Sequence, residues 1–174
     1  MKKSVIGIVE SRSDAEALVL KARDSGFLLN DISILFPDQT TTNDFAHEQN
    51  TKAPEGALAG GSAGGLLGGT IGLLAGLGAL AIPGLGPFIA AGPLMAALSG
   101  AAAGVTVGGL TGALIGFGIP EIEAKRYEGK LRGGNILVAI HVDDADMRER
   151  AEQLLKKFNA HNVTATSEAA APAR

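Results

Sequence analysis

The stretch Gly56–Pro120 reads GALAGGSAGGLLGGTIGLLAGLGALAIPGLGPFIAAGPLMAALSGAAAGVTVGGLTGALIGFGIP and holds no charged side chain in 65 residues. It carries 20 of the 25 glycines in a chain of 174 residues. All 15 Lys/Arg and all 18 Asp/Glu lie outside it, in Met1–Glu55 and Glu121–Arg174. The chain therefore reads as two charged blocks around one uncharged insert. Prolines and glycines at Pro83, Gly84, Gly86, Pro87 and Pro93 mark a break inside the insert. On either side of it, glycines keep a four-residue phase: Gly60, Gly64, Gly68, Gly72, Gly76, and then Gly100, Gly104, Gly108, Gly112, Gly116. Residues four apart share one helix face. A glycine face lets two helix backbones approach closely.

The spacing predicts a helical hairpin over 56–119. Its first helix covers Ala57–Ala81, its second Phe88–Phe117, and the turn falls at Pro83, Gly84, Gly86 and Pro87. Each helix is long enough for a hydrocarbon core of about 30 Å. Ten helical glycines cost about 8–10 kcal/mol of propensity in water, so the hairpin is expected in lipid or in the core of an oligomer. With Lys52 before the hairpin and Lys125, Arg126, Lys130 and Arg132 after it, an inserted hairpin would keep both charged halves cytoplasmic. Those four cations on the exit helix are also the candidates for contact with anionic headgroups.

The outer blocks read as one split domain. Ser4–Val9 is β-branched and short, a strand. Ser13 with Glu16 forms a capping box. Ala15, Leu18, Val19 and Ala22 share one face of the helix that follows, and Gly26 stops it. Asp31–Phe36 is a second strand, ended by Pro37-Asp38. After the insert, Pro120 suits the first helical position, Glu121 and Glu123 the first turn, and Gly133-Gly134 the end. Asn135–Val142 is a third strand. Asp143 or Asp144 caps a helix through Asn159, with Met147, Ala151, Leu154, Leu155 and Phe158 inward. His161-Asn162 is a turn and Val163–Ser167 a fourth strand. Two βαβ units predict an α+β sandwich of ferredoxin-like type, with four antiparallel strands and both long helices on one face. The boundaries are 1–37 and 120–167 for its halves, 38–55 for a flexible linker, 56–119 for the hairpin and 168–174 for a disordered tail.

Chemistry-bearing patterns are missing. The chain has no Cys, which removes disulfides, thiolate metal sites and cysteine nucleophiles. His47, His141 and His161 have no metal-ligand spacing, and Asp143, Asp144 and Asp146 read as a capping cluster. Gly129-Lys130 is followed by Leu131, so no phosphate-binding loop is present. A net charge of -3 gives no nucleic-acid footprint. The expectation is a non-enzyme with no cofactor, no metal and no small-molecule substrate, whose partners are itself and membrane lipid.

Three segments carry a resemblance. SRSDAEALVLKARDSGFLLNDISILFPD, the hairpin tip ALAIPGLGPFIAAGPL and the exit GIPEIEAKRYEGKLRGGNILVAIHVDD are similar to bacterial general stress (heat-induced stress) proteins and related membrane proteins. The resemblance spans about Lys3–Asp144. It implies a bacterial stress-response role and no catalytic residue; the hairpin, if inserted, would place the chain at the bacterial inner membrane. The layout also resembles a subunit of the quinol-oxidising alternative complex III, without that family's aromatic-rich helices. Two other functions fit the same residues: a cytoplasmic self-assembling protein whose hairpins form the apolar core of a particle, and a regulatory module that binds a ligand or partner.

Overall fold

The computed structural model describes residues 3–37, 78–82, 86–95, 98 and 109–167. The linker 38–55, residues 57–77 of the first expected helix and the tail 168–174 lie outside them. Strand β1 (Lys3–Val9) leads into helix α1 (Arg12–Asp24), a single 3-10 turn (Leu29–Asp31) and β2 (Ile32–Pro37). From the insert come β3 (Gly78–Ile82), β4 (Gly86–Ala91) and helix α2 (Gly109–Gly116). Helix α3 (Glu121–Arg132), β5 (Ile136–Val142), α4 (Ala145–Lys157) and β6 (His161–Ser167) complete the order.

The six strands form one sheet in the order β3-β4-β2-β5-β1-β6, and every neighbouring pair is antiparallel. The fold is α+β. Its two charged blocks meet at the centre, where β5 pairs with β1 (Val5 opposite Ile140) and with β2 (Ile34 opposite Val138). Alternation divides each strand between two cores. Val5, Val9, Ile32, Ile34, Ile136, Val138 and Ile140 pack under α1 and α4. Ile6, Ile8, Leu35, Leu137 and Ala139 pack under α2, α3 and the stretch around Leu94 and Leu98. Burial on both faces explains why β5 reads as an unbroken apolar run rather than an alternating one.

The insert departs most from expectation. Gly78–Ala81 and Phe88–Ala91, expected at the end of one long helix and the start of another, are extended and hydrogen-bonded into the sheet. Gly86 and Pro87, expected in the turn, open β4; Pro83 and Gly84 lie outside the described residues. Tertiary pairing has overridden local spacing here. Without β4, β2 would be an edge strand with apolar residues on both sides. Two local features also oppose a helix through this point. Pro87 would remove a backbone donor from a helix running through it, whereas Pro93 starts a new helical stretch at 93–95, where a missing N–H costs nothing. Gly92, which with Ala96 extends the four-residue phase of Gly100–Gly116 toward the break, has φ +76° and lies against β2. A Cβ there would overlap the Ile32 carbonyl oxygen and come within 2.9 Å of Ser33 Cα. Of the second expected helix, residues 93–95 and 98 and the eight-residue α2 are helical, and the rest of 96–108 lies outside the described residues.

Helix ends follow the backbone's need to satisfy orphan groups. The cap of α1 is Ser11, not Ser13: Ser11 Oγ accepts the Asp14 N–H at 3.1 Å and donates to Asp14 Oδ2 at 2.6 Å. β1 ends at Val9, so the helix can begin two residues earlier than the Ser13–Glu16 pattern suggested. Glu16 instead pairs with Arg12 at 3.0 Å and is buried. Asp144 caps α4 through the Met147 N–H at 2.6 Å. Pro120 sits one position before α3, as its cap. Each of α1 to α4 closes with paired reverse hydrogen bonds around a left-handed residue: Gly26, Gly118, Gly134 and Asn159. The last of these moves the expected turn, so that His161-Asn162 begin β6 and do not precede it.

Candidate functional site

The residues singled out in the insert fall into three groups. Gly60, Gly64, Gly68, Gly72, Gly76, Gly100, Gly104 and Gly108 lie outside the described residues. Gly112 and Gly116 sit on α2, where a Cβ at Gly116 would meet nothing within 4 Å. Among the described residues, close backbone contact is therefore not what Gly116 provides. Gly86 and Pro87 belong to β4, and they place β3 at the outer edge of the sheet.

The candidate headgroup cations on α3 are mostly paired along their own helix. Lys125 meets Glu121 at 2.6 Å, Arg126 meets Glu123 at 3.3 Å and Arg132 meets Glu128 at 2.7 Å. The Lys125 hydrogen bond, with its charge, holds the Glu121 carboxyl below its usual range. These pairs spread opposite charges along one exposed face, and Lys130 is the fourth cation on it. Exposed pairs of this kind contribute little to stability.

Glu128 does more than pair. Its Oε2 accepts the Thr111 N–H at 3.1 Å and the Thr111 hydroxyl, while Oε1 takes Arg132. Partial burial pushes its carboxyl up, but the Thr111 and Arg132 hydrogen bonds outweigh that and hold it below the usual value. A side chain of α3 thus caps the first turn of α2 and ties the insert to the second charged block. Tyr127, also on α3, donates to the Asn162 carbonyl at 2.6 Å, and Thr166 donates to the Gly118 carbonyl. Burial raises the Tyr127 phenol above its ordinary range. Together these bonds fasten β6 to the α2–α3 layer.

A buried polar chain crosses three strands. His141 on β5 meets Ser4 of β1 through Nδ1 at 3.1 Å and Ser33 of β2 through Nε2 at 3.2 Å. Ser33 Oγ accepts the Leu94 N–H at 3.0 Å, and the Phe117 ring stands edge-on to the imidazole. All three polar residues are buried. Their arrangement places a hydroxyl beside each imidazole nitrogen in a closed, apolar surround, so the chain orders the turn after β4. Sequence reading missed this network, although a signal existed: each of three apolar strands carries one polar residue on the same face. His161 is elsewhere, 3.2 Å from Glu10 at the surface, and His47 lies outside the described residues.

Among the described residues no group of His, Asp and Glu is arranged to hold a metal ion. Among them, no helix is long and apolar enough to cross a membrane. What the described insert does present is the outer side of β3, a strand of sequence GALAI with β4 on one flank and, among the described residues, no strand on the other. No family model, curated protein or solved structure matches the chain.

Proposed function

We propose that this chain is a non-enzymatic protein that assembles with further copies of itself through its charge-free insert. The observation that carries the reading is where the insert sits. It adds β3 and β4 to one end of a sheet whose central faces are already covered by helices, so uncharged chain forms the growing edge of a closed body. We read β2-β5-β1-β6 with α1 and α4 as the ferredoxin-like unit, and β3-β4 as its extension. The bacterial stress-response role implied by the resemblance belongs to this proposal.

Chain connectivity favours an assembly over an inner-membrane span. Residues 38–77 leave from β2 and return to β3, in one sheet. A single crossing would put those ends on opposite sides of a bilayer. Two crossings need about 40 apolar residues, whereas the charge-free part of that segment is residues 56–77. Residues 92–108, between β4 and α2, are again tethered to one body at both ends. Self-assembly in the cytoplasm, with lipid contact limited to one surface, is the arrangement these ends support.

The test is native mass of the full chain without detergent, by light scattering across micromolar concentrations. Assembly into a dimer or larger species is expected. A monomer at every concentration sinks the proposal, and flotation with anionic vesicles in place of assembly would return the insert to lipid. Gly68→Leu and Gly108→Leu test the glycine faces: an unchanged assembly removes them from the reading and leaves the strand edge. Transcript and protein levels after a heat shift test the stress role, which fails if neither changes.

A further inference from the structure

Two prolines fix which backbone groups of β3 point outward. Antiparallel residues directly opposite each other alternate between pairs that exchange two hydrogen bonds and pairs that exchange none. Pro87 lies opposite Ala81 and has no N–H, so that pair exchanges none. Pro37 lies opposite Phe88 and gives the same phase from the other side of β4. Gly78, Leu80 and Ile82 therefore bond to β4, while the N–H and C=O groups of Ala79 and Ala81 point away from the sheet.

From this geometry we infer that β3 pairs antiparallel with β3 of a second copy across a two-fold axis at Leu80, joining two six-stranded sheets into one. The inference rests on the self-assembly reading above and names its surface. In that register Ala79 faces the partner's Ala81, and the symmetry repeats the pair. Four outward groups on each copy meet four on the other, giving four backbone hydrogen bonds. Shifting the axis to Ala79 or Ala81 leaves one such pair, with two bonds.

The residue types of β3 suit this partner. Gly78–Ile82 has no charge, so two copies meet without repulsion. It lacks the lysine, proline or bulge with which edge strands ordinarily block pairing. The opposite edge does carry such devices. β6 has a register shift against Ile6 and Ile8, a left-handed Asn162, and tethers to Tyr127 and Gly118. The chain's own segment 56–77 is a poorer occupant. Nine of its 22 residues are glycine, which weakens a strand.

The experiment uses the full chain and the double variant Ala79→Pro, Ala81→Pro. Both substitutions delete outward N–H groups and leave every bond to β4 in place. In the wild-type chain, exchange at the Ala79 and Ala81 amides is expected to slow at least tenfold between dilute and dimeric concentrations. The double variant is expected to weaken dimerisation at least tenfold, with unchanged far-UV circular dichroism. If the wild-type chain assembles and the folded variant assembles equally well, the β3 edge is not the surface, and self-assembly stands without it. Protection at these amides that is equal at all concentrations also overturns the inference, because the chain then covers its own edge. A chain that never assembles fails both readings. Should the variant not fold, the concentration dependence of wild-type exchange decides alone.

Discussion

Gly92→Ala separates the sheet from the helical hairpin more sharply than any other single change. In a long helix from Phe88 to Phe117, position 92 belongs to a four-residue series that already contains Ala96. Alanine would be accepted there and would add about 0.8–1 kcal/mol of helix propensity. In the sheet, Gly92 follows β4 with φ +76°. A left-handed residue with a Cβ costs about 1–2 kcal/mol. The Cβ would also overlap the Ile32 carbonyl oxygen, which belongs to a strand bonded on both sides and cannot swing away. Overpacking against a fixed neighbour costs about 1–3 kcal/mol more. The sum is a loss of about 3 kcal/mol, which is about 6–12 °C in midpoint temperature for a domain of this size. Gly116→Ala is the matched control. Its Cβ meets nothing within 4 Å and the residue is helical, so a gain of about 1 kcal/mol is expected. Both variants are measured by guanidinium unfolding followed by circular dichroism. A Gly92→Ala chain as stable as wild type, or more so, refutes the turn and restores the helix.

Three further outcomes follow from the tethers. Tyr127→Phe removes the bond to the Asn162 carbonyl and should cost about 1 kcal/mol at neutral pH. Because burial raises the phenol in the fold, its contribution is complete below the ordinary value of 10.0 and falls as pH rises beyond it. The wild-type advantage over the Phe variant should therefore shrink in alkaline unfolding titrations, and a constant difference would contradict the burial. Glu128→Gln keeps an acceptor for Thr111 but loses the charge. With a carboxyl held below its usual 4.5, the wild-type advantage is present above that pH and fades as pH falls through the lowered value; unfolding curves at several acidic pH values check the sign. Ser33→Ala leaves the Leu94 N–H without its acceptor and removes one partner of His141. A loss of about 2–3 kcal/mol is expected, with faster exchange at the Leu94 amide; unchanged exchange there would remove Ser33 from the turn.

The outer blocks were legible because their signals are local. Val19 and Leu18 declare a helix face, Gly26 its end, and NILVAIHV a strand buried on both sides. The cap at Ser11 was missed because Ser13–Glu16 offers the same pattern two residues on, and only the end of β1 chooses between them. The middle of the insert, which pairs into the sheet, departs from the helical expectation for a different reason. Glycine every four residues is evidence for a helix face only if the segment is helical, and the strand character of PFIAA depends on β2 lying beside it. That partner is about 50 residues away in sequence, beyond the reach of any periodicity. The Ser4–His141–Ser33 chain is of the same kind, since it joins positions 137 and 108 residues apart. Assembly through the β3 edge was not legible at all. It depends on which backbone groups face outward, and that is set by register.

The central position of β5 also governs how the chain meets itself during synthesis. β1 and β2 both wait for β5, whose first residue, Ile136, is made about 100 residues after Pro37. At about 5–20 residues per second, that interval lasts about 5–20 s. During it the charge-free insert is made, while β1 and β2, two strands with apolar residues on both faces, lack their native neighbour. The layout that gives β5 a partner on each side leaves the nascent chain with apolar segments to shield until late in synthesis, so yield is expected to vary with translation speed.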